Sequence, residues 1–264
     1  MGLPFFGVSN DPGPSFIGLI ESAGFDLPRP SSPHLSAHAT TVVALRSSEG
    51  VVLVADRQAT AGYIANRDVK KIAEADRHTA VAISGVAATG LELQQILQLS
   101  FEHYEKMTDD VLSLEGKANY VGSLIQRINL SGPGLVVPLL AGYDLNHDTG
   151  RVFEYDPLGG CYEKDDFTVI GSGTPFAEGA LRLGYRDSMS TSDCVELGAL
   201  AIYEAGDNDP STGGPDFVRG IFPAIVKVSR EGLYEYSNEE CRTVFETINS
   251  RRAENKGRAG GQLR

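Results

Sequence analysis

The fold is decided by residues 40–56, which read TTVVALRSSEGVVLVAD. Two apolar runs rich in β-branched residues, Thr41–Leu45 and Val51–Ala55, flank a short polar turn at Ser47–Gly50. This pattern predicts a β-hairpin. Neither run alternates between apolar and polar residues, so we expect both faces of each strand to be buried inside a layered fold.

The rest of the chain divides into blocks of strands and blocks of helices. The further predicted strands are Asp68–Ile72, Thr79–Ser84, Leu135–Tyr143, Val152–Tyr155, Phe167–Ile170, Phe222–Val228 and Leu233–Tyr236, with a turn at Glu74–Arg77. The predicted helices are Leu93–Met107, Glu115–Asn129, Pro175–Tyr185, Ser192–Ala205 (capped by Ser192) and Glu239–Arg251. Blocks rather than strict alternation favour the α+β class, with two sheets packed face to face and helices outside. The polar, glycine-rich stretch 254–264 is expected to be a flexible tail.

Composition limits the classes of function. The chain has 264 residues, 41% of them apolar, which is enough to bury a sizeable core. Its formal net charge of −12 argues against a nucleic-acid partner, whose phosphates would repel it. No apolar run is long enough to predict a membrane span. The three cysteines are widely spaced and predict neither a disulfide framework nor a metal site, which favours a reducing compartment such as the cytoplasm.

The first 39 residues differ in composition from the rest of the chain. They contain six prolines and only four charged residues, a composition that does not favour independent folding. The start lacks a basic segment followed by a continuous apolar run, so it does not predict a secretion signal. Two interpretations remain open, namely a disordered tail or a propeptide that is removed.

No single local motif identifies a chemistry. Nucleotide-binding loops, zinc-protease helices and serine-hydrolase elbows are absent from the sequence. Polar residues do occur at the ends of predicted elements, for example Asp56 after a strand and Gly171-Ser172-Gly173 between a strand and a helix. Taken one at a time, these are ordinary turn residues and caps.

In combination, these stretches resemble the β subunits of 20S proteasomes, most strongly the actinobacterial type. The resemblance covers residues 40 to about 251. It is carried by stretches at the family's spacing: His38–Leu45, Ala55-Asp56-Arg57, Arg67–Lys71, Glu102–Lys106, Leu139–Asp144, Gly171–Gly173 and Gly213–Pro223. It implies the four-layer αββα sandwich of N-terminal nucleophile hydrolases, with residues 1–39 as propeptide and 40–253 as the catalytic domain.

The resemblance implies a threonine protease with Thr40 as its nucleophile. Autocleavage between Ala39 and Thr40 would free an α-amine beside the Thr40 hydroxyl. An α-amine has an ordinary pKa of about 7.7–8.0 and can act as a base near neutral pH. Threonine is a weak nucleophile and needs such a base. No cofactor or metal is implied.

The lysine of this mechanism has two candidates. Asp56 resembles the acid that binds the catalytic lysine, and Lys71 resembles that lysine. The segment between them is one residue shorter than the family pattern, and adjacent strand residues face opposite ways, so only one of Lys70 and Lys71 can reach Thr40. The spacing from Lys71 to Gly85 fits the family, so Lys71 is the assignment and Lys70 the alternative.

Four further positions match the catalytic pattern. Gly85 resembles the glycine whose backbone N–H stabilises the oxyanion. Ser172, Asp209 and Thr212 resemble the group that orders the terminal amine and a water. Thr212 stands where many relatives have serine, but it keeps the hydroxyl, so we expect little effect.

The same match to the family implies a substrate pocket with an apolar wall. Its residues are Ala59, Val69, Ala73, Ile83 and Ala87, with Leu91 as a further candidate, while the main chain of Thr60 would pair with an extended substrate. An apolar wall disfavours charged side chains, which would be desolvated without a partner. We therefore predict cleavage after large apolar residues, although several of these positions could be ordinary core residues.

By resemblance, the partners are proteasome α subunits and other β subunits in stacked seven-membered rings, an ATP-driven unfoldase ring, and tagged protein substrates. No nucleic acid or membrane is expected. Two alternatives are open: the simpler bacterial ATP-dependent protease that also begins Thr-Thr, and a non-catalytic ring scaffold. The long leader and the Asp209–Gly214 context argue against the first. Retention of Thr40, Asp56 and Lys71 with Ser172 and Asp209 argues against the second.

Overall fold

The computed structural model of the chain describes residues 40–60, 64–131 and 136–261. Its strands are β1 (Thr41–Ser47), β2 (Gly50–Ala55), β3 (Ala59–Thr60), β4 (Ile64–Asn66), β5 (Ile72–Asp76), β6 (Thr79–Gly85), β7 (Val136–Asp144), β8 (Thr149–Tyr155), β9 (Cys161–Lys164), β10 (Phe167–Gly171), β11 (Ala224–Ser229) and β12 (Gly232–Glu235). Its helices are α1 (Ala87–Thr108), α2 (Leu114–Ser131), α3 (Thr174–Gly184), α4 (Thr191–Asn208) and α5 (Asn238–Gly261). The predicted leader, including Ala39, lies outside the described residues.

The first sheet has the strand order β10-β1-β2-β11-β12 and is antiparallel throughout. Strands β1 and β2 pair from Val42 with Ala55 to Ser47 with Gly50, which confirms the predicted hairpin. Both strands lie in the interior of the sheet, and β10 and β11 flank them.

The second sheet has the order β5-β6-β7-β8-β9 and is also antiparallel. A short ribbon of β3 and β4 connects the end of the first hairpin to this sheet along the chain. The sequence did not predict β3, β4 or β9, because each has four residues or fewer and no clear apolar pattern.

Three clusters of buried side chains form the core. Val43, Leu45, Val52 and Val54 pack with side chains of α3, α4 and α5. The alternate residues of the same two strands, such as Val42 and Leu53, pack against the second sheet. On the other face of the second sheet, residues such as Leu140 pack against α1 and α2. Both faces of the central hairpin are therefore buried, as the absence of alternation predicted.

The predicted strand Asp68–Ile72 is wrong. Residues 68–71 are irregular, and the strand begins at Ile72 and runs through the predicted turn to Asp76. The Asp76 carboxylate accepts a hydrogen bond from the backbone N–H of His78 at 2.9 Å, which places the turn at Arg77–His78. Residues 68–71 are instead drawn toward the first sheet, since the N–H of Val69 donates to the carbonyl of Arg57.

Two helix ends also differ from the prediction. Helix α4 is capped by Ser190, whose hydroxyl accepts from the N–H of Asp193, and not by Ser192. Helix α5 continues to Gly261, beyond the predicted end at Arg251, so the stretch expected to be a flexible tail begins as helix. In the described ranges, none of the helices has the combination of length and apolar composition needed to cross a bilayer.

Candidate active site

Thr40 lines a cleft at one end of the first sheet. It directly precedes β1, whose first residue, Thr41, pairs with Gly171 of β10. The cleft is also lined by Lys71 and by Gly85, the last residue of β6. The fold thus brings three of the predicted catalytic residues to one opening.

The Asp56 carboxylate is fully buried beside Thr40. One oxygen accepts hydrogen bonds from Lys71 Nζ at 2.6 Å and from the backbone N–H of Thr41 at 2.9 Å. The other oxygen accepts from the backbone N–H groups of Gln58 and Gly213, both at 3.0 Å. With four N–H donors, this carboxylate acts only as an acceptor and holds Lys71 in place.

Lys71 and Lys70 point to different environments. The side chain of Lys71 is 5% exposed, and its Nζ also donates to the carbonyl of Gln58 at 2.6 Å. Burial lowers the pKa of Lys71 from its ordinary value, and the neighbouring Asp56 carboxylate offsets only part of this effect. Lys70 is 58% exposed and pairs with Glu235 on the surface. The two lysines diverge although neither lies in a strand.

Asp209 forms a second polar centre at the end of α4. Its Oδ2 accepts from Ser172 Oγ at 2.5 Å and from Thr212 Oγ1 at 2.6 Å, and its Oδ1 accepts from the N–H of Ser211 at 3.0 Å. Burial alone would raise the pKa of Asp209, but the hydrogen bonds from Ser172 and Thr212 favour the charged form, so the pKa lies below its ordinary value. The three residues predicted to act together are therefore in direct contact.

Thr41 joins the two centres, and the sequence did not predict this role. Its hydroxyl lies 2.6 Å from Thr212 Oγ1 and accepts from the N–H of Gly173 at 3.0 Å. Its own N–H binds Asp56. The only sequence signal for it is its position next to Thr40 at the start of an apolar strand.

The loop between β10 and α3 needs its glycines because its backbone lies very close to Thr40 and Thr41. A Cβ at Gly171 would overlap the carbonyl oxygen of Thr40, and the φ of Gly171 is +113°. A Cβ at Gly173 would lie 2.6 Å from Thr41 Oγ1 and 2.8 Å from Thr212 Oγ1. The two glycines of the Gly-Ser-Gly pattern, which from the sequence alone is an ordinary turn, are therefore required because a larger residue would clash with Thr40, Thr41 or Thr212.

Most of the predicted pocket residues lie at the cleft. Ala59, Val69, Ile83 and Leu91 line it, and Lys70, Val86, Gly90 and Gln94 also contribute. Ala73 instead packs against the cluster beneath α1 and α2. Thr60 lies on β3, where its hydroxyl accepts from Gln58 Nε2. Ala87 begins α1, but its side chain lies outside the described ones.

The described part of the chain contains no group of three or more histidine, cysteine, aspartate or glutamate side chains placed to hold a metal ion. The polar groups around Thr40 are hydroxyls, two carboxylates and a lysine. This set can transfer protons and activate a hydroxyl, which is the chemistry of acyl transfer.

Comparison with known proteins decides the family. The family model described as "Proteasome subunit" matches residues 36–218. This chain belongs to the proteasome subunit family. A relative named "Proteasome subunit beta" from Acidimicrobium ferrooxidans is 44% identical over 239 residues, covering 88% of this chain and 88% of its own. Another of that name, from Frankia casuarinae, is 39% identical and covers 90% of this chain and 88% of its own.

The resemblance to actinobacterial proteasome β subunits is thereby confirmed. The roles of individual site residues stay predictions. In this member of the family, Thr40, Lys71 and Gly85 line one cleft, and Asp56 is buried behind Lys71, to which it is hydrogen-bonded. Ser172, Asp209 and Thr212 form a cluster linked to Asp56 through Thr41.

Proposed function

We propose that this chain is the catalytic β subunit of a 20S proteasome core particle, a threonine endopeptidase that degrades unfolded proteins to peptides. Residues 1–39 are a propeptide, and cleavage of the Ala39–Thr40 bond exposes the nucleophile. The observation that carries the proposal is the buried Lys71–Asp56 pair facing the same cleft as Thr40. A ring scaffold would need none of these three side chains.

In the proposed reaction, the Thr40 hydroxyl attacks the carbonyl carbon of a substrate peptide bond. The hydroxyl proton passes to the α-amine of Thr40 or to Lys71, whose lowered pKa allows it to take up and release a proton. Asp56 holds Lys71 in position. The backbone N–H of Gly85 stabilises the oxyanion, a contribution that is typically worth about 10²–10³ in rate.

The intermediate then collapses. The C–N bond breaks, the leaving amine takes the proton, and the acyl group remains as an ester on Thr40. A water held near Ser172, Asp209 and Thr212 hydrolyses the ester and restores the hydroxyl. The hydroxyls of Ser172 and Thr212 direct their protons toward Asp209, which leaves lone pairs free to accept hydrogens from an amine or a water.

The cleft wall supports a preference for large apolar side chains at the cleaved position. Ala59, Val69, Ile83 and Leu91 present apolar surface to it. A charged side chain would lose hydration against this wall, and the two lysines at the cleft are already paired, Lys71 with Asp56 and Lys70 with Glu235. A peptide library should therefore favour phenylalanine, tyrosine or leucine at this position, and a preference for acidic or basic residues would contradict the assignment.

The proposal includes the assembly and its place in the cell. The packing of helices on the outer faces of the two sheets supports an αββα sandwich of the N-terminal nucleophile hydrolase type as part of this proposal. Two β rings would stack between two α rings in the cytoplasm, with an ATP-driven unfoldase ring feeding tagged substrates. This separates the active site from folded proteins.

The decisive experiment is co-expression with the α partner, followed by intact mass and N-terminal sequencing of this chain. A new N-terminus at Thr40, together with peptidase activity that Thr40→Ala abolishes, is the expected result. Thr40→Ser is the matched control, because it keeps a hydroxyl and should retain part of the activity. A fully assembled particle that keeps residues 1–39 and lacks activity would contradict the proposal in favour of a scaffold.

A further inference from the structure

The directions of the hydrogen bonds around Asp209 can be assigned by elimination. Thr212 has one hydroxyl hydrogen and donates it to Asp209 Oδ2 at 2.6 Å. In the hydrogen bond of 2.6 Å between the Thr41 and Thr212 hydroxyls, Thr41 must therefore be the donor. Thr41 in turn accepts from the N–H of Gly173. A directed chain results, running from Gly173 through Thr41 and Thr212 to Asp209.

Thr41 belongs to both polar centres at once. Its N–H donates to Asp56, which also binds Lys71, and its hydroxyl connects to Asp209 through Thr212. It is also the residue bonded directly to Thr40. Any displacement of Thr41 would therefore move Thr40 relative to the lysine and to Asp209 at the same time.

The Thr41 hydroxyl is buried and hydrogen-bonded to two neighbouring groups. Thr41 is 0% exposed, and its hydroxyl both donates and accepts. Only glycine at position 173 leaves room for the loop N–H to reach it, since a Cβ there would meet the Thr41 and Thr212 hydroxyls. A valine at position 41 would fill the same space as the threonine but would leave the buried Gly173 N–H without its acceptor.

We infer that Thr41 is a positioning residue whose hydroxyl directs the hydrogen bonds around Asp209 and holds Thr40 in register with Lys71. This inference rests on the proposed function, because it concerns the geometry of the same nucleophile. Thr41 is buried beneath the cleft and contributes no surface to substrate. Its loss should therefore lower kcat and leave KM nearly unchanged.

The test is a set of variants in the assembled particle with its α partner. Thr41→Val should lower kcat about 10- to 100-fold, the range expected when a buried donor loses its acceptor, with KM changed by less than about twofold. Thr41→Ser keeps the hydroxyl and should restore kcat to within about threefold of wild type. Rates are expressed per chain that begins at Thr40, as counted by intact mass.

The matched control is Thr168→Val on β10, the strand paired with β1. Thr168 is also buried, but its hydroxyl donates to Glu154, on the second sheet. This variant makes the same chemical change and should keep the wild-type kcat. If Thr168→Val and Thr41→Val lower kcat equally, the effect is general loss of packing and the inference is wrong.

The outcomes separate this inference from the proposed function. If wild type is inactive, or if Thr40→Ala stays active, the proposed function fails. If wild type depends on Thr40 while Thr41→Val keeps full kcat, only the role of Thr41 fails. A Thr41→Val chain that assembles but keeps its leader, and that Thr41→Ser rescues, supports the role, since processing uses the same nucleophile.

If Thr41→Val does not assemble, Thr41→Cys is the variant to use in its place. It keeps a side-chain hydrogen but is a weak donor and acceptor, so kcat should fall between the serine and valine levels. A wild-type kcat for Thr41→Cys would overturn the inference, whereas a reduced kcat at unchanged KM would support it.

Discussion

Among the described residues, two lysines with buried side chains pair with aspartates, and the two pairs differ in what surrounds them. Lys71 pairs with Asp56, and Lys117 of α2 pairs with Asp76 at the end of β5, in both cases at 2.6 Å. The lysine side chains are 5% and 4% exposed, so burial does not distinguish them. Lys117 also donates to Thr79 and lies over the ring of Phe101, among residues that fill the space beneath the helices.

The difference lies in access. Lys71 lines an open cleft together with Thr40, whereas Lys117 packs between α2, α1 and the second sheet. The Asp56 carboxylate is 0% exposed and held by three backbone N–H groups, while Asp76 is 20% exposed. A buried ion pair is therefore no sign of catalysis by itself. It suggests a catalytic role only when the lysine also lines an open cleft beside a candidate nucleophile, as Lys71 does beside Thr40.

The largest expected effect is that of Lys71→Met, which keeps most of the length of the side chain but removes the amine that we propose transfers protons. We expect kcat to fall about 10³-fold, equivalent to about 4 kcal/mol in activation free energy, with the particle still assembled. Peptidase assays on purified particles measure this. Activity within a few fold of wild type would show that Lys71 is structural, like Lys117.

Lys117→Met should have the converse effect. It leaves the Asp76 carboxylate without its partner and should lower the free energy of unfolding by about 3 kcal/mol, near the lower end for a broken buried pair because Asp76 is partly exposed. Urea unfolding of the separately purified chain measures this change. In particles that do assemble, kcat should match wild type, and a loss of kcat at normal stability would contradict the comparison.

Changing both Lys117 and Asp76 tests the difference between the two lysine–aspartate pairs more sharply. Adding Asp76→Asn to Lys117→Met removes the unpaired charge and keeps an oxygen to accept the His78 N–H, so it should recover about 1 kcal/mol of stability. The corresponding Asp56→Asn and Lys71→Met double variant should recover no kcat. Recovery of activity there would mean that the first pair is only structural.

The smallest expected effect is that of Lys70→Met. This side chain forms an exposed ion pair with Glu235, and such pairs contribute about 0–1 kcal/mol. We expect kcat and stability both to stay close to wild type, as judged by the same assays. A large fall in kcat would transfer the catalytic assignment to Lys70.

The sequence predicted the central hairpin, the class of fold and most helices, because long apolar runs and helical periodicity carry those signals. The choice of Lys71 over Lys70 as the catalytic lysine stays a prediction, and it rested on a faulty premise. Residues 68–71 are irregular, so strand geometry does not separate the two side chains. Lys71 is bound by Asp56 and Lys70 pairs with Glu235. Local pattern cannot show this difference, since it depends on contacts with residues distant in the sequence.

Other buried polar residues have no local signal at all. From the sequence, Lys117 is an ordinary polar residue on an amphipathic helix, and only the tertiary packing shows that it is buried. Thr41 looks like the first residue of an ordinary strand until Thr212 and Gly173 are brought to its hydroxyl. Residue types and spacing identify what can react, but tertiary contacts decide which groups meet.

The link between Thr41 and Thr212 also has a consequence for timing during protein synthesis. These residues are 171 positions apart, and Asp56 and Gly213 are 157 apart. A nascent chain translated only as far as α4 already contains every strand of the second sheet, yet it lacks Asp209 and Thr212 of one centre and Gly213, which donates to Asp56 in the other. Because such distant contacts close late, a chain translated only that far cannot complete the network around Thr40.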